Sequence, residues 1–365
     1  MAWQKPDYHR CSLNLISSIA NHLGLSLSAP TLPYMDEMLE KKHYRNIIVM
    51  LFDGLGMSLM EAALPDNAFL RRYTNYTLSA VFPSTTTNAT STIECGCSPR
   101  EHGWLGWTLF FPQLNQPVDL FTNRSQGKIA ADYHVANRYI PREMIFPKIT
   151  AAGKAHASCI SRFGDTQINR LDGLFDLALA QAQDQQRRYI YTYWDEPDHT
   201  MHDKGCHHPK ILDKVMDINA RVEAFFHQLP ENSLLMLTAD HGLCDGQFIY
   251  LEDYPHLLSM LHHPPTMESR AASLHIKSEY LSIFPQAFHA ALGDHFLLVD
   301  RETFIHEYLG EGPVRPEVYD FVGDYCALAI DNYCLDVHPD PHPLKGVHGG
   351  LTKQEMIVPL MIAEK

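Results

Sequence analysis

The sequence predicts an α/β protein of three layers: a mostly parallel central sheet with helices on both faces, plus a smaller inserted cap subdomain. Three observations predict it. First, continuous apolar runs stop at an acidic turn, as in Asn46-Ile47-Ile48-Val49-Met50-Leu51-Phe52 before Asp53, Tyr189–Trp194 before Asp195–Asp198, and Leu234–Thr238 before Ala239-Asp240. Unbroken rather than alternating apolar runs are the pattern of strands buried on both faces. Second, segments of helical period lie between these runs, and strands alternating with helices require a parallel sheet with crossovers. Third, from about residue 243 to 340 the apolar runs shorten while His, Pro and aromatic residues become frequent.

Taken in order, Leu13, Ile16, Ile19, Ala20 and Leu23 recur at helical spacing, and Pro30 and Pro33 end that lead-in. The 46–52 strand follows. Leu171–Gln186 is rich in Ala, Leu and Gln, and Ile211–Leu229 carries apolar residues at helical steps, so both are expected as helices. Ala271–Ile276 and Phe296–Val299 are expected as strands of the inserted segment, and Met356–Ala363 as a last strand of the main sheet. The expected division is therefore a core of residues 1–242 and 341–365 with an inserted cap at 243–340.

Composition narrows the function. The chain of 365 residues has 45% hydrophobic and 20% charged residues, which fits a globular protein and neither a disordered nor a fibrous one. A formal charge of −14 argues against binding a nucleic-acid polymer or an anionic membrane surface. It leaves small phosphorylated substrates open, because bound metal ions reverse the local sign of the field. No apolar run approaches a membrane span. Residues 1–7 lack a basic run followed by an apolar block. Eight scattered cysteines fit reduced thiols, so cytoplasmic placement is expected.

Open sheets of this kind place their sites at the carboxyl ends of the strands. The polar residues there are Asp53, Asp198 with His202, Asp240 with His241, and, after the insertion, His348. Three carboxylates and three imidazoles suit zinc, with manganese or iron as competitors. Such a set can hold two divalent ions, the usual apparatus for displacement at phosphorus. A hydroxyl-rich turn, Phe82-Pro83-Ser84-Thr85-Thr86-Thr87-Asn88-Ala89-Thr90-Ser91, offers a nucleophile leading into a helix. Trp104, Trp107, Phe110 and Phe111 are either core residues, the favoured reading, or an apolar wall for a substrate group.

Six segments carry a resemblance: Ile48–Gly54, Phe82-Pro83-Ser84-Thr85-Thr86, Glu101-His102-Gly103, Asp198–Gly205, Thr238–Gly242 and Val347–Gly350. In order and spacing they resemble the alkaline phosphatase superfamily, and within it the type I phosphodiesterase or nucleotide pyrophosphatase/phosphodiesterase branch. The resemblance implies one metal on Asp198, His202 and His348. It implies a second on Asp53, Asp240, His241 and the nucleophile oxygen of Thr86, the third residue after Pro83, with Thr85 and Thr87 as close neighbours. The branch has a substrate-contacting asparagine shortly after the His-Gly of His102-Gly103; here a tryptophan stands in its place. Asn88 is the candidate replacement, and Trp107 a candidate substrate contact. In the insertion, Arg270, Lys277 and Arg301 are candidate phosphate or carboxylate contacts. The implied activity is phosphodiester or pyrophosphate hydrolysis through a phosphothreonine. A phosphomonoesterase or phosphonate hydrolase with the same metal pair is the alternative, and a non-catalytic metal-binding protein the remaining one.

Overall fold

The computed structural model of the chain describes residues 2–163, 166 and 168–365. Its central sheet has six strands in the spatial order Thr74–Ser79, Ile357–Glu364, Ser233–Thr238, Asn46–Phe52, Arg188–Trp194 and His156–Ser161. The last four of these run parallel to one another. Ile357–Glu364, the expected last strand, joins antiparallel to both of its neighbours. Every residue of Asn46–Phe52 and of Ser233–Thr238 is buried, so both faces of the sheet centre are covered. That is why these two segments read as unbroken apolar runs.

The expected helices form close to their anticipated bounds, at Ser12–His22, Leu171–Gln183 and Pro209–Gln228. The third shows how sequence makes the element. Pro209 occupies its first turn, where a missing N–H costs nothing. Ile211, Val215, Ile218, Val222, Phe225 and Phe226 form the buried stripe. No described helix is long and apolar enough to cross a membrane.

A second sheet of eight strands lies beside the core, in the order Phe296–Asp300, Tyr325–Ala329, Ala271–Leu274, Thr266–Glu268, Thr108–Phe111, Gln116–Asp119, Arg124–Ser125 and Lys128–Ile129. This departs from the expected boundary at residue 243. Half of the strands come from 108–129, joined to the insertion where Met267 pairs with Thr108. The physical reason is the close approach between Gly106 and the 267 backbone: a Cβ on Gly106 would meet the Met267 carbonyl oxygen at 2.6 Å. The insertion contributes its own apolar cluster around Leu257, Phe284, Phe288 and Phe296.

Candidate active site

Three adjacent strands deliver the acids. Asp53 follows Phe52, and its backbone N–H bonds to Trp194 O at 2.9 Å, while Asp198 N–H bonds to Asp53 O at 3.1 Å. Gly54 N–H donates to Asp240 Oδ1 at 3.1 Å, which ties the ends of two strands together. Gly54 has a positive φ of 72°, and a Cβ there would press Leu243 at 2.7 Å and Asp198 at 2.9 Å. Only glycine fits that turn. Asp198 and His202 lie on the short helix Asp198–Lys204, and His348 arrives on the loop after Gly346-Val347.

The Thr86–Cys95 helix begins at the expected hydroxyl-rich turn, with Thr85 as its N-cap. Thr86 Oγ1 lies 3.2 Å from Asp53 Oδ2 and 3.2 Å from His241 Nε2. Among the three neighbouring threonines it is the one whose hydroxyl touches these groups. Thr85 Oγ1 instead donates to Glu268, and Thr87 is buried. Tyr193 donates its hydroxyl to Asp53 Oδ2 through a short contact. His241 Nε2 is 3.6 Å from Asp53 Oδ1 and 3.5 Å from Asp240 Oδ2. His202 Nε2 is 3.1 Å from Asp198 Oδ2, and His348 Nε2 is 3.8 Å from Asp198 Oδ1.

These side chains fit divalent cations. Asp53, Asp240 and His241 have ligand atoms within 4.8 Å of one another, as do Asp198, His241 and His348. Asp198 Oδ1 and Asp240 Oδ2 are buried with no hydrogen-bond partner among the described residues, an arrangement that is costly unless something positive meets them. Each imidazole sets Nδ1 against a backbone carbonyl: His202 on Gly346 at 2.7 Å, His241 on Gly242 at 3.2 Å, His348 on Ser84 at 3.1 Å. A carbonyl accepts only from N–H, so in each neutral ring Nε2 is the bare nitrogen, turned inward as a ligand. One detail differs from the expected pairing. His241 stacks on His348 with centroids 3.9 Å apart and reaches toward both groups, whereas His202 stands beside Asp198, outside the tighter cluster.

Electrostatics agree with this chemistry. Burial, then the nearby Asp240 and Asp198 carboxylates, push the Asp53 carboxyl well above its usual range. Burial would raise Asp198 too, but His202, His348 and His241 hold it below the ordinary carboxylate range. Burial and His241 drive the His348 imidazole well down, toward the neutral ligand form. His202 is desolvated, yet Asp198 pushes it up to about 9 from 6.5. A pKa raised by folding gives stabilisation that is complete below about 6.5 and lost as pH rises through about 9. Ionising Asp53 destabilises in the same direction. The chelator-treated protein should therefore lose melting temperature between pH 6.5 and 9, and the metal-loaded protein should lose much less, because cations replace the missing protons. Parallel pH profiles for the two forms would contradict this.

A family model described as type I phosphodiesterase / nucleotide pyrophosphatase matches residues 47–291, more than half of the chain. The chain belongs to that family. It is thus a metal-dependent hydrolase of phosphodiester or pyrophosphate bonds. Murine ectonucleotide pyrophosphatase/phosphodiesterase 5 is similar in structure, with a TM-score of 0.63 and 19% identity over 87% of this chain and 88% of that one. The human protein of the same name gives 0.65 and 16% identity over 87% of each chain. An inactive threonine-to-alanine form of the murine protein in complex with AMP gives 0.62 and 19% identity, over 86% of this chain and 87% of that one. These likenesses show the fold. Among curated proteins the sequence finds no match.

In this phosphodiesterase Asp53, Thr86, Asp198, His202 and His348 line a cavity of about 980 Å³, while Asp240 and His241 are buried and outside its lining. Trp104, Trp107, Phe121, Phe163 and Tyr193 supply its aromatic surface. Trp107 is 44% exposed and lines the cavity, and Trp104 also lines it but is buried, with Nε1 donating to Ile140 O. Phe111 is a core residue, and Phe110 stacks on His263 beside another cavity.

Several expected contacts are corrected. Asn88 faces inward, wholly buried, with its amide donating to Pro83 O at 2.8 Å, and it is not among the residues lining the cavity. Arg270 is buried in a two-pronged pair with Glu355, Nε to Oε1 at 2.7 Å and Nη2 to Oε2 at 2.8 Å. Lys277 is spent on Ser259 O, and Arg301 on Val322 O, Gly323 O and Asp324. None of these three cations lines the reaction cavity.

Three residues near the site escaped the sequence reading. Tyr193 holds Asp53. Glu355 accepts from Gly350 N–H at 2.8 Å and Thr352 Oγ1 at 2.6 Å, fastening the loop that carries His348. Glu268 enters the cavity wall from the strand Thr266–Glu268. Burial pushes its carboxyl up to about 7, against the pull of the Thr85 hydroxyl and the Trp107 N–H. A signal existed only for Tyr193, which lies in the expected strand.

Proposed function

We propose that this protein hydrolyses small phosphodiesters or nucleotide pyrophosphate bonds, with Thr86 as the nucleophile and two divalent ions, zinc being the best fit, in the paired acid–imidazole groups. The observation that carries the reading is the Thr86 hydroxyl, set at the start of a helix and in contact with both Asp53 and His241.

Asp53, Asp240 and His241 would hold one ion, and Asp198, His202 and His348 the other. The bound ions supply the positive charge that acidifies a hydroxyl and stabilises the attacking and leaving oxygens. Thr86 Oγ1 loses its proton to solvent and attacks phosphorus in line; the P–O bond to the leaving group breaks, and the first alcohol or phosphate departs, taking up a proton from water and leaving a phosphothreonine. Asp53 positions the Thr86 oxygen and is itself fixed by Tyr193. Amide groups at the helix start face the phosphoryl oxygens. Water then attacks the phosphothreonine from the side the leaving group vacated, restoring the hydroxyl. Two in-line displacements give net retention at phosphorus. Trp107 and the neighbouring rings offer an apolar wall to a substituent such as a nucleobase. The murine relative's AMP complex, captured in a form inactivated by a threonine-to-alanine change, supports both the nucleotide and the threonine.

The test is a substrate panel on metal-loaded protein: bis-p-nitrophenyl phosphate, the p-nitrophenyl ester of thymidine monophosphate, p-nitrophenyl phosphate and phosphonoacetate. The diesters should give the highest kcat/KM. Preference for the monoester or the phosphonate would overturn the reading in favour of the corresponding hydrolase, and binding without any turnover would favour a non-catalytic metal protein.

A further inference from the structure

Glu268 lines the same cavity as Thr86 and the acids and imidazoles Asp53, Asp198, His202 and His348. Its Oε1 accepts from Thr85 Oγ1 at 2.7 Å, one residue before the nucleophile, and from Trp107 N–H at 2.7 Å, on the loop after His102-Gly103. A Cβ on Gly349 would come within 3.2 Å of Glu268 Cβ, so the side chain also abuts the loop of His348. Its other oxygen, Oε2, has no hydrogen-bond partner among the described residues, and the residue lines the cavity shared with Thr86, Asp198, His202 and His348. The carboxylate is thus held by one oxygen, and the other is left without a protein partner in the cavity wall.

The rest of the cavity wall offers little positive charge to offset it. Arg142 is the only arginine or lysine among the described lining residues. It is committed to Glu94 Oε2 and Ser91 Oγ, each at 3.2 Å, and lies 4.2 Å from the Trp104 ring centre. Beyond the metal groups, then, the described lining offers an incoming phosphate the Glu268 carboxylate and no uncommitted arginine or lysine.

We propose that Glu268 is a specificity-determining residue, whose carboxylate disfavours doubly charged phosphate monoesters and leaves singly charged diesters as the preferred substrates. The inference rests on the phosphodiesterase reading and deepens it. A monoester dianion spreads its charge over three terminal oxygens, and an oxygen turned away from the cations meets the carboxylate in a desolvated cavity, where like charges repel strongly. A diester carries a neutral ester oxygen and its substituent at that position. Selectivity built by repelling the competitor needs no added attraction for the preferred substrate.

The experiment measures kcat/KM for bis-p-nitrophenyl phosphate and p-nitrophenyl phosphate with metal-loaded wild type and Glu268→Gln. The amide keeps an acceptor for Thr85 and Trp107 and removes the charge. The ratio of monoester to diester kcat/KM should rise about tenfold or more. A ratio within about twofold of wild type, including a parallel fall of both rates, overturns the proposal, because loosened packing would not move the ratio. Should the variant fail to fold, wild type answers alone: the monomethyl ester of phenylphosphonate should inhibit at least about tenfold more tightly than the phenylphosphonate dianion. Equal or tighter binding of the dianion overturns the proposal. A metal-loaded wild type that hydrolyses neither substrate would bring down the phosphodiesterase reading itself, whereas an active wild type with an unmoved ratio would remove only the role of Glu268.

Discussion

Thr86→Ala is expected to lower phosphodiester turnover by on the order of 10⁴-fold or more, the scale on which removal of a covalent nucleophile acts, while the protein keeps its metal. The two halves of this expectation come from different atoms. The attacking oxygen is Thr86 Oγ1, in contact with Asp53 and His241. The acids and imidazoles stand on other elements and keep their positions in the variant. Thr85 cannot substitute without breaking its bond to Glu268. Rates measured on metal-loaded protein, with metal content determined on the same sample, check the expectation. Activity within about tenfold of wild type would remove Thr86 from the reaction.

The second large effect concerns stability. Arg270 and Glu355 are both fully buried and bonded to each other through two N–H···O contacts. Arg270 also donates to Tyr333 O at 2.8 Å and to Asp331 O at 2.5 Å. Arg270→Ala strips the main cationic partner from a buried carboxylate and orphans two carbonyls. Breaking such a pair from one side costs about 3–5 kcal/mol, a large part of the stability of an ordinary domain. Because Glu355 fastens Gly350 and Thr352, the loop of His348 should loosen too, and metal affinity should fall by about 10–100-fold, as for other supports of metal ligands. Denaturant midpoints and metal titrations of the variant test both parts. A loss below about 1 kcal/mol would mean that the pair is solvated or replaceable.

Both effects bear on what was legible in the sequence. The sheet centre was, because Asn46–Phe52 and Ser233–Thr238 are buried on both faces and so must be continuously apolar. The acids were too, because Asp53 and Asp240 stand directly after such runs and strand ends in an open sheet converge. The second sheet was legible only in part: Ala271–Leu274 and Phe296–Asp300 lie where strands were expected. Its strands at 108–129 are only two to four residues long, too short for alternation to be distinguished from chance. Long-range pairing was equally invisible. Arg270 in an acidic chain looked like a phosphate contact, and only the fold reveals that Glu355, 85 positions away, claims it. Glu268 meets Thr85 across 183 positions. Asn88 carried a suitable side chain, but it sits on the inward face of its helix, an orientation that neighbouring residue types did not fix.

If side chains distant along the chain converge at the strand ends as two cation sites, metal content per chain must show it. Protein equilibrated with zinc and freed of loosely bound metal should carry two ions per chain, one on Asp53, Asp240 and His241 and one on Asp198, His202 and His348, and Asp240→Asn should lose one of them together with turnover. A wild-type protein that retains no metal under these conditions, or that hydrolyses diesters at full rate after exhaustive chelation, would contradict it.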